Sequence, residues 1–377
     1  MYFGRFFIRD KKRIAALLRL TLIQFLINFE PYFLFVILMS TPISSLGEFG
    51  LIERLTKGVK PAQPSTVKGI GDDAAVLRYG NTVLVVTTDT LTEGVNFDLT
   101  YTPLQHLGYK AAVAAFSDIY AMNAAPRQLL VSVAVSAKFS VEALELFYRG
   151  LKLACERHGV DLAGGDTAPS VTGFTITVTA IGEADPKKIT YRNTAKKGDL
   201  ICVSGSLGAA YMGLQVLERE KKMFEDDPSV QPKLDRYEHV VGRQLRPEAR
   251  EDVIRLLASA NIVPTAMIDI SDGLSSDLLH ICSASNLGCE IHHHKIPIAD
   301  ETIAAAEEFY LEPLIPALNG GDDYELLFTV STADYSKIAG NPDISIIGYM
   351  TDPQEGCNLV AENGSKIAIR AQGWNRE

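Results

Sequence analysis

The chain has only five cysteines, Cys155, Cys202, Cys282, Cys289 and Cys357, and no C-x-x-C pair. An odd, widely spaced set argues against a disulfide framework and against a finger-type zinc site, and favours free thiols in a reducing compartment. Basic charge is also short. Against 46 Asp+Glu stand 36 Lys+Arg, giving a formal net charge of −10. Nucleic-acid binding relies on basic patches that neutralise phosphates, so this balance argues against it. There is no G-x-x-x-x-G-K-[ST] loop and no H-R-D or D-F-G set, which removes the P-loop and protein-kinase designs. A phosphorylated ligand remains admissible if metal ions invert the local field.

The first 38 residues differ in composition from the rest. They carry six Lys/Arg against two acidic residues, and positions 20–38 are almost wholly apolar. A signal anchor would read this way. Gln24, Asn28, Glu30 and Pro31 interrupt the run, and a charge in mid-span costs roughly 2.5–3.5 kcal/mol on insertion scales. The preferred expectation is therefore that residues 1–38 are a leader outside the native protein and that translation begins at Met39. A membrane anchor is the second choice.

The remaining length suits two domains, 45–185 and 186–377, each with its own core. Strand-like runs at 83–88, 129–136, 160–163, 174–183, 200–204, 266–270 and 325–330 alternate irregularly with helical patterns at 46–57, 104–122, 141–158, 247–259, 274–285 and 302–309. This is an α/β pattern with paired strands, α+β-like in its irregularity, with mixed sheets flanked by helices. Gly205–Gly208 opens a further helix through about Arg219. Residues 220–243, charged and with two prolines, read as a surface insertion. His292-His293-His294 reads as a solvated run in an edge strand.

What stands out is a set of short acidic motifs, each beside an apolar stretch: G-I-G-D-D-A-A-V (69–76), T-T-D-T-L (87–91), S-D (117–118), G-G-D-T (164–167), I-D-I-S-D-G (268–273) and G-G-D-D-Y-E-L (320–326). Taken singly, each has a bland explanation. Asp72-Asp73 suits a solvated turn, Asp89 or Asp272 a helix cap, and Asp118 a buried ion pair on an alanine-rich helix. Together, acidic corners at strand ends would repel one another unless cations joined them. Mg²⁺ takes carboxylate, phosphate and water oxygens, and phosphoryl transfer depends on such positioning and charge neutralisation.

These motifs, with G-E-F-G-L-I, L-G-Y-K-A, Y-R-N-T-A-K-K-G-D and L-R-P in the same order, resemble the thiamine-monophosphate kinase family, within the superfamily of aminoimidazole ribonucleotide synthetase. The likeness runs from about Ser45 to the C-terminus. It implies ATP-dependent phosphorylation of thiamine monophosphate to thiamine diphosphate by direct in-line transfer, with no protein nucleophile, on a two-domain fold that dimerises through its N-terminal sheet in the cytoplasm. By resemblance, Asp73, Thr87, Thr88, Asp89, Asp118, Asp166, Asp269 and Asp272 match positions for several Mg²⁺ ions. Gly165, Asp166, Arg192, Ser271 and His158 match nucleotide contacts, and Asp322 matches a substrate contact. Two positions depart from the family. Asn96 replaces a histidine that contacts substrate; it keeps a hydrogen-bond donor but cannot carry charge. Ala371 falls where an aromatic packs on the substrate, a place that Trp374 could take. Asp72 and Asp323 are expected only to support turns. The competing readings are another ATP-dependent synthetase of the superfamily and an acidic cation-binding protein without activity.

Overall fold

The computed structural model describes residue 41 and residues 45–371. The expected leader and Trp374 lie outside the described residues. Helix α1 (Gly47–Thr56) stands in a unit apart from the body, which begins at Gly58. In the body, β1 (Thr66–Lys68), β2 (Ala75–Tyr79), β3 (Thr82–Thr92), α2 (Leu104–Ala121), β4 (Ala125–Ser136), α3 (Val141–His158), β5 (Asp161–Ser170) and β6 (Phe174–Ala184) come first. They are followed by β7 (Leu200–Ser204), α4 (Ala209–Asp226), α5 (Glu238–Leu245), α6 (Glu251–Ser259), β8 (Ala266–Ile270), α7 (Leu274–Ser285), β9 (Gly288–His292), α8 (Asp300–Glu308), α9 (Leu314–Asn319), β10 (Glu325–Val330), α10 (Tyr335–Ile338), β11 (Ile344–Thr351), β12 (Cys357–Val360) and β13 (Lys366–Ala368).

Two mixed sheets result. The first has the order β1-β2-β3-β6-β4-β5, with β4 and β5 parallel. The second has the order β13-β12-β9-β11-β7-β10-β8, with β9 and β12 parallel. Strand β3 explains how the first sheet carries chemistry. Its side chains alternate between faces, so Val83, Val85, Thr87, Asp89 and Leu91 share one. The valines and Leu91 are buried under helices α2 and α3, and they hold Thr87 and Asp89 at the same covered face.

Helix α2 is buried nearly all round, which an amphipathic surface helix would not be. The reason is its position. One side packs into the core of the first sheet, and Ala121 joins the cluster formed by Val253, Leu257, Met267 and Phe328 beneath the second sheet. Its alanines and Gly108 allow close approach. A Cβ on Gly108 would lie 2.0 Å from the Phe147 carbonyl oxygen, and one on Gly150 of α3 would lie 1.8 Å from that of Gln105. The two helices therefore cross backbone against backbone.

Three expectations need correction. Residues 220–243 are a surface segment only in part: 222–229 are exposed, but α4 runs on to Asp226, and Tyr237, Val240 and Val241 present a helical apolar face that packs on Met212, Val216, Ala305 and Ala306. The G-G-D-T motif does not follow a strand but lies inside β5, where Gly165 admits the neighbouring backbone; a Cβ there would sit 1.8 Å from the Val131 carbonyl oxygen. The strand that ends at His292 is interior, between β12 and β11, and not an edge. No helix among the described residues is long and apolar enough to cross a membrane.

Gly150→Ala should cost at least about 1–3 kcal/mol, the usual range for overpacking, because neither backbone can yield without moving a helix. Gly242→Ala, in α5 with open space around the added methyl, should instead stabilise by about 0.5–1 kcal/mol. Urea unfolding of the two variants measures both, and equal effects would refute the close-crossing argument.

Candidate active site

The acidic residues of the two sheets converge beside α2. Carboxylate oxygens of Asp73, Asp118 and Asp269 lie within 4.8 Å of one another. Asp73 comes from the loop before β2, Asp118 from the last turns of α2, and Asp269 from β8 of the second sheet. Neighbouring hydroxyls fix their orientation. Thr87 Oγ1 donates to Asp118 Oδ2 at 2.5 Å, and Ser117 Oγ donates to Asp269 Oδ2 at 2.7 Å. Asp89 stands close enough to raise Asp118 electrostatically, and its buried Oδ2 has no hydrogen-bond partner among the described residues.

Burial and mutual repulsion dominate the electrostatics. Burial, then the charges of Asp89, Asp269 and Asp73, pushes Asp118 well above the usual carboxylate range. Burial and then Asp73 raise Asp269 to about 8, and burial raises Asp89 to about 6. Arg192 supplies partial compensation: Nη2 donates to Asp73 Oδ1 at 2.5 Å and Nε to Oδ2 at 3.1 Å, a bidentate pair. Asp118, Asp89 and Asp269 make no ion pair with a basic side chain among the described residues. Converging hard oxygen donors, one of them orphaned and buried, fit a divalent cation such as Mg²⁺.

The cluster continues toward Asp322. Asp322 raises Asp272 electrostatically, second to burial, and Asp272 and Asp269 in turn raise the fully buried Asp277, again after burial. Asp272, Asp277 and His280 bring ligand atoms within 4.8 Å of one another. Asp322 is held in a left-handed backbone conformation (φ 59°) by its N–H, which donates to the Ser271 carbonyl oxygen at 2.8 Å. Lys110 Nζ of α2 pairs with its Oδ2 at 3.0 Å, and the Tyr324 hydroxyl donates to its Oδ1 at 3.2 Å.

Other expected residues lie differently. Thr88 faces away from Thr87 and bonds to β6 through the Val178 carbonyl. Asp166 and Gly165 are exposed on β5, the edge strand, and no hydrogen bond or ion pair among the described residues joins Asp166 to the cluster, so within this chain the site joins five of the six proposed aspartates. His158 packs against Phe116 and Tyr120, bonds to the Tyr120 hydroxyl at 3.0 Å and is depressed by burial; none of these partners is acidic-cluster chemistry. Asn96 is exposed, and its Oδ1 accepts the Thr92 N–H at 2.9 Å, closing the 92–97 loop. Ala371 is exposed beyond β13. Asp72 accepts the Arg192 N–H, and Asp323 accepts the N–H of Gly208 at 2.7 Å at the start of α4. Ser117, Lys110, Asp277 and Tyr324 were not foreseen. A lysine inside an alanine-rich buried helix was a usable signal for Lys110; serine and tyrosine gave none.

With this geometry, the comparisons with known proteins take on meaning. Residues 71–184 match the model of the AIR synthase related protein N-terminal domain, and residues 196–356 match its C-terminal domain. A thiamine-monophosphate kinase of Aquifex aeolicus is 34% identical over 334 residues, covering 88% of this chain and 98% of the relative. The chain belongs to the thiamine-monophosphate kinase family. A Bacillus subtilis member is 32% identical over 88% of this chain and 99% of its own length. The solved structure of AaThiL complexed with AMPPCP and TMP superposes with a TM-score of 0.77 at 31% identity, covering 90% of this chain and all of that one. The α/β, two-domain architecture with mixed sheets is that of the family.

If the carboxylates are poised for cations, removing one should relieve the cation-free protein. Asp118→Asn should raise unfolding free energy by about 1–3 kcal/mol without divalent ions, as loss of like-charge repulsion at a functional site often does. It should also abolish most of the stabilisation that millimolar Mg²⁺ with ATP gives the wild type. Thermal unfolding with and without these ligands checks both halves, and a destabilised variant that still gains fully from Mg²⁺–ATP would contradict the assignment.

Proposed function

We propose that the chain transfers the γ-phosphoryl group of ATP to thiamine monophosphate, forming thiamine diphosphate by direct in-line displacement. Family membership across nearly the whole of the relatives supports the reaction, and the observation that carries it in this chain is the cluster of Asp73, Asp89, Asp118 and Asp269, in which only Asp73 has a basic partner among the described residues. Mg²⁺, when bound there, supplies charge neutralisation for the phosphate oxygens. The chain's own part is to hold donors in place. Thr87 and Ser117 lock the carboxylates of Asp118 and Asp269, and the burial of α2 keeps them from relaxing. Asp73 and Asp272, with Thr87 and Thr88 midway along β3, complete the proposed cation set.

Arg192 is suited to phosphate, since its fork can exchange a carboxylate for phosphate oxygens; Ser271 is exposed, and its carbonyl accepts the Asp322 N–H. Asp322, positioned by Lys110, is assigned to the thiamine side. Asn96 and a C-terminal residue, Ala371 or Trp374, are proposed to border that ligand. Gly165, Asp166 and His158 keep a nucleotide assignment by resemblance. An exposed edge at β5 and an uncovered first-sheet face bearing half-buried Leu84, Val86 and Leu130 support a homodimer that pairs these sheets. The acidic net charge supports small phosphorylated ligands over nucleic acid, and cytoplasmic residence agrees with five free thiols. Domain bounds of 45–185 and 186–377 are proposed around the two matched segments.

Incubation with ATP, Mg²⁺ and thiamine monophosphate should yield ADP and thiamine diphosphate in equal amounts, with no radiolabel retained on protein from γ-labelled ATP. Asp89→Asn should lower kcat by at least about 100-fold, the scale of losing one electrostatic stabiliser. Absence of thiamine diphosphate, or a labelled phosphoprotein, would refute the reading.

A further inference from the structure

Away from the acidic cleft, the fold unites cysteines that are remote in sequence. Six residues separate Cys282 from Cys289, and 67 separate Cys289 from Cys357. Cys282 lies in the last turn of α7, Cys289 near the start of β9, and Cys357 begins β12. Cys289 and Cys357 stand opposite one another in the parallel β9–β12 pair. The Cys289 N–H donates to the Gly356 carbonyl oxygen at 3.1 Å, which fixes the register at that point. All three Sγ atoms lie within 4.8 Å of one another. We propose that Cys282, Cys289 and Cys357 form a three-thiolate site for a soft divalent cation of the zinc and cadmium class, which ties the C-terminal end of α7 to the second sheet.

The dimensions suit this. Zinc–thiolate bonds of about 2.3 Å around a tetrahedral ion place sulfurs about 3.8 Å apart, inside the observed limit. Three sulfurs also discriminate by softness, because thiolates select zinc-class ions, whereas the carboxylate cleft selects magnesium-class ions. Access is present on one side. Cys282 and Cys289 are buried, but Cys357 is only half-buried, which leaves a route for the ion and a place for a solvent ligand. The three cysteines belong to the same apolar cluster as Leu287, Ile291 and Leu359, and apolar surroundings strengthen ion–thiolate attraction. Cys155 and Cys202 are buried outside the three-thiol group and serve as internal controls.

Spacing alone pointed away from a zinc site, because sequence rules look for C-x-x-C pairs. The site is assembled by one strand register and one helix end. Binding would release protons and stabilise the fold that presents the three sulfurs.

The test titrates Cd²⁺ into the full chain, reduced with a thiol-free reductant, freed of metal by chelation and held in excess Mg²⁺ so that carboxylates are occupied. One equivalent should saturate a near-ultraviolet thiolate-to-cadmium charge-transfer band and raise the melting midpoint. Cys357→Ser should lose the band and bind at least tenfold more weakly, whereas Cys155→Ser should match the wild type. Should Cys357→Ser fail to fold by circular dichroism, the wild type decides: one equivalent of Cd²⁺ should protect Cys357 from alkylation, read by peptide mass spectrometry. No band in the reduced wild type, a band undiminished in folded Cys357→Ser, or unprotected Cys357 would overturn the site.

Discussion

Everything in this molecule is arranged around one unfavourable contact: carboxylates from different parts of the chain are held together out of water with too little positive charge among them. Asp73 has Arg192, but Asp118 and Asp269 rely on hydroxyl donors, and Asp89 Oδ2 has no hydrogen-bond partner among the described residues. Left to itself, such a group would splay apart or protonate. Splaying is blocked because its members are fixed to elements that cannot move singly, so the carboxyls hold protons more tightly instead, Asp269 up to about 8. A site of this kind stores the free energy that a cation later recovers, so the scaffold must be stiff before it can be catalytic.

Helix α2 supplies most of that stiffness. It is clamped by α3 through facing glycines and by the cores of both sheets. Within two successive residues it places Ser117 against β8 and Asp118 against β3. The second sheet is stiffened elsewhere by a buried polar network, in which Glu325 of β10 accepts from Ser204, Arg243 and Arg250. The charge-assisted bonds of that network anchor β10, which pairs with β8, and β8 carries Asp269. Substrate-side and cation-side residues thus depend on packing far from either ligand.

Much of this was legible in the sequence because the governing patterns are local. The β-branched run of 83–88 and the alanine-rich helical spacing of 104–122 announced a strand and a packed helix. The repeated coupling of aspartate with glycine or threonine marked the corners. What could not be read was contact between residues remote in sequence. Ser117 faces Asp269 only because α2 lies between two sheets, and Asp277 enters the acidic group only because α7 turns inward after Gly273. Asp166 shows the opposite limit: its motif resembles the others, yet the strand that carries it is an edge, and edge residues find partners outside their own sheet. Residues 220–243 misled because charge and proline dominated the average, while three apolar residues at helical spacing decided the packing.

The G-G-D-D turn has a consequence for how variants of this protein are interpreted. Its two aspartates are neighbours in sequence but belong to different economies of the fold. Asp322, with φ of 59° and a lysine partner, looks into the cleft. Asp323 looks the other way and satisfies backbone donors where α4 begins. A scan that scores only product formed per culture would mark both as essential. Purified material would separate them: one substitution would leave folded protein that turns over poorly, the other would leave little protein to assay.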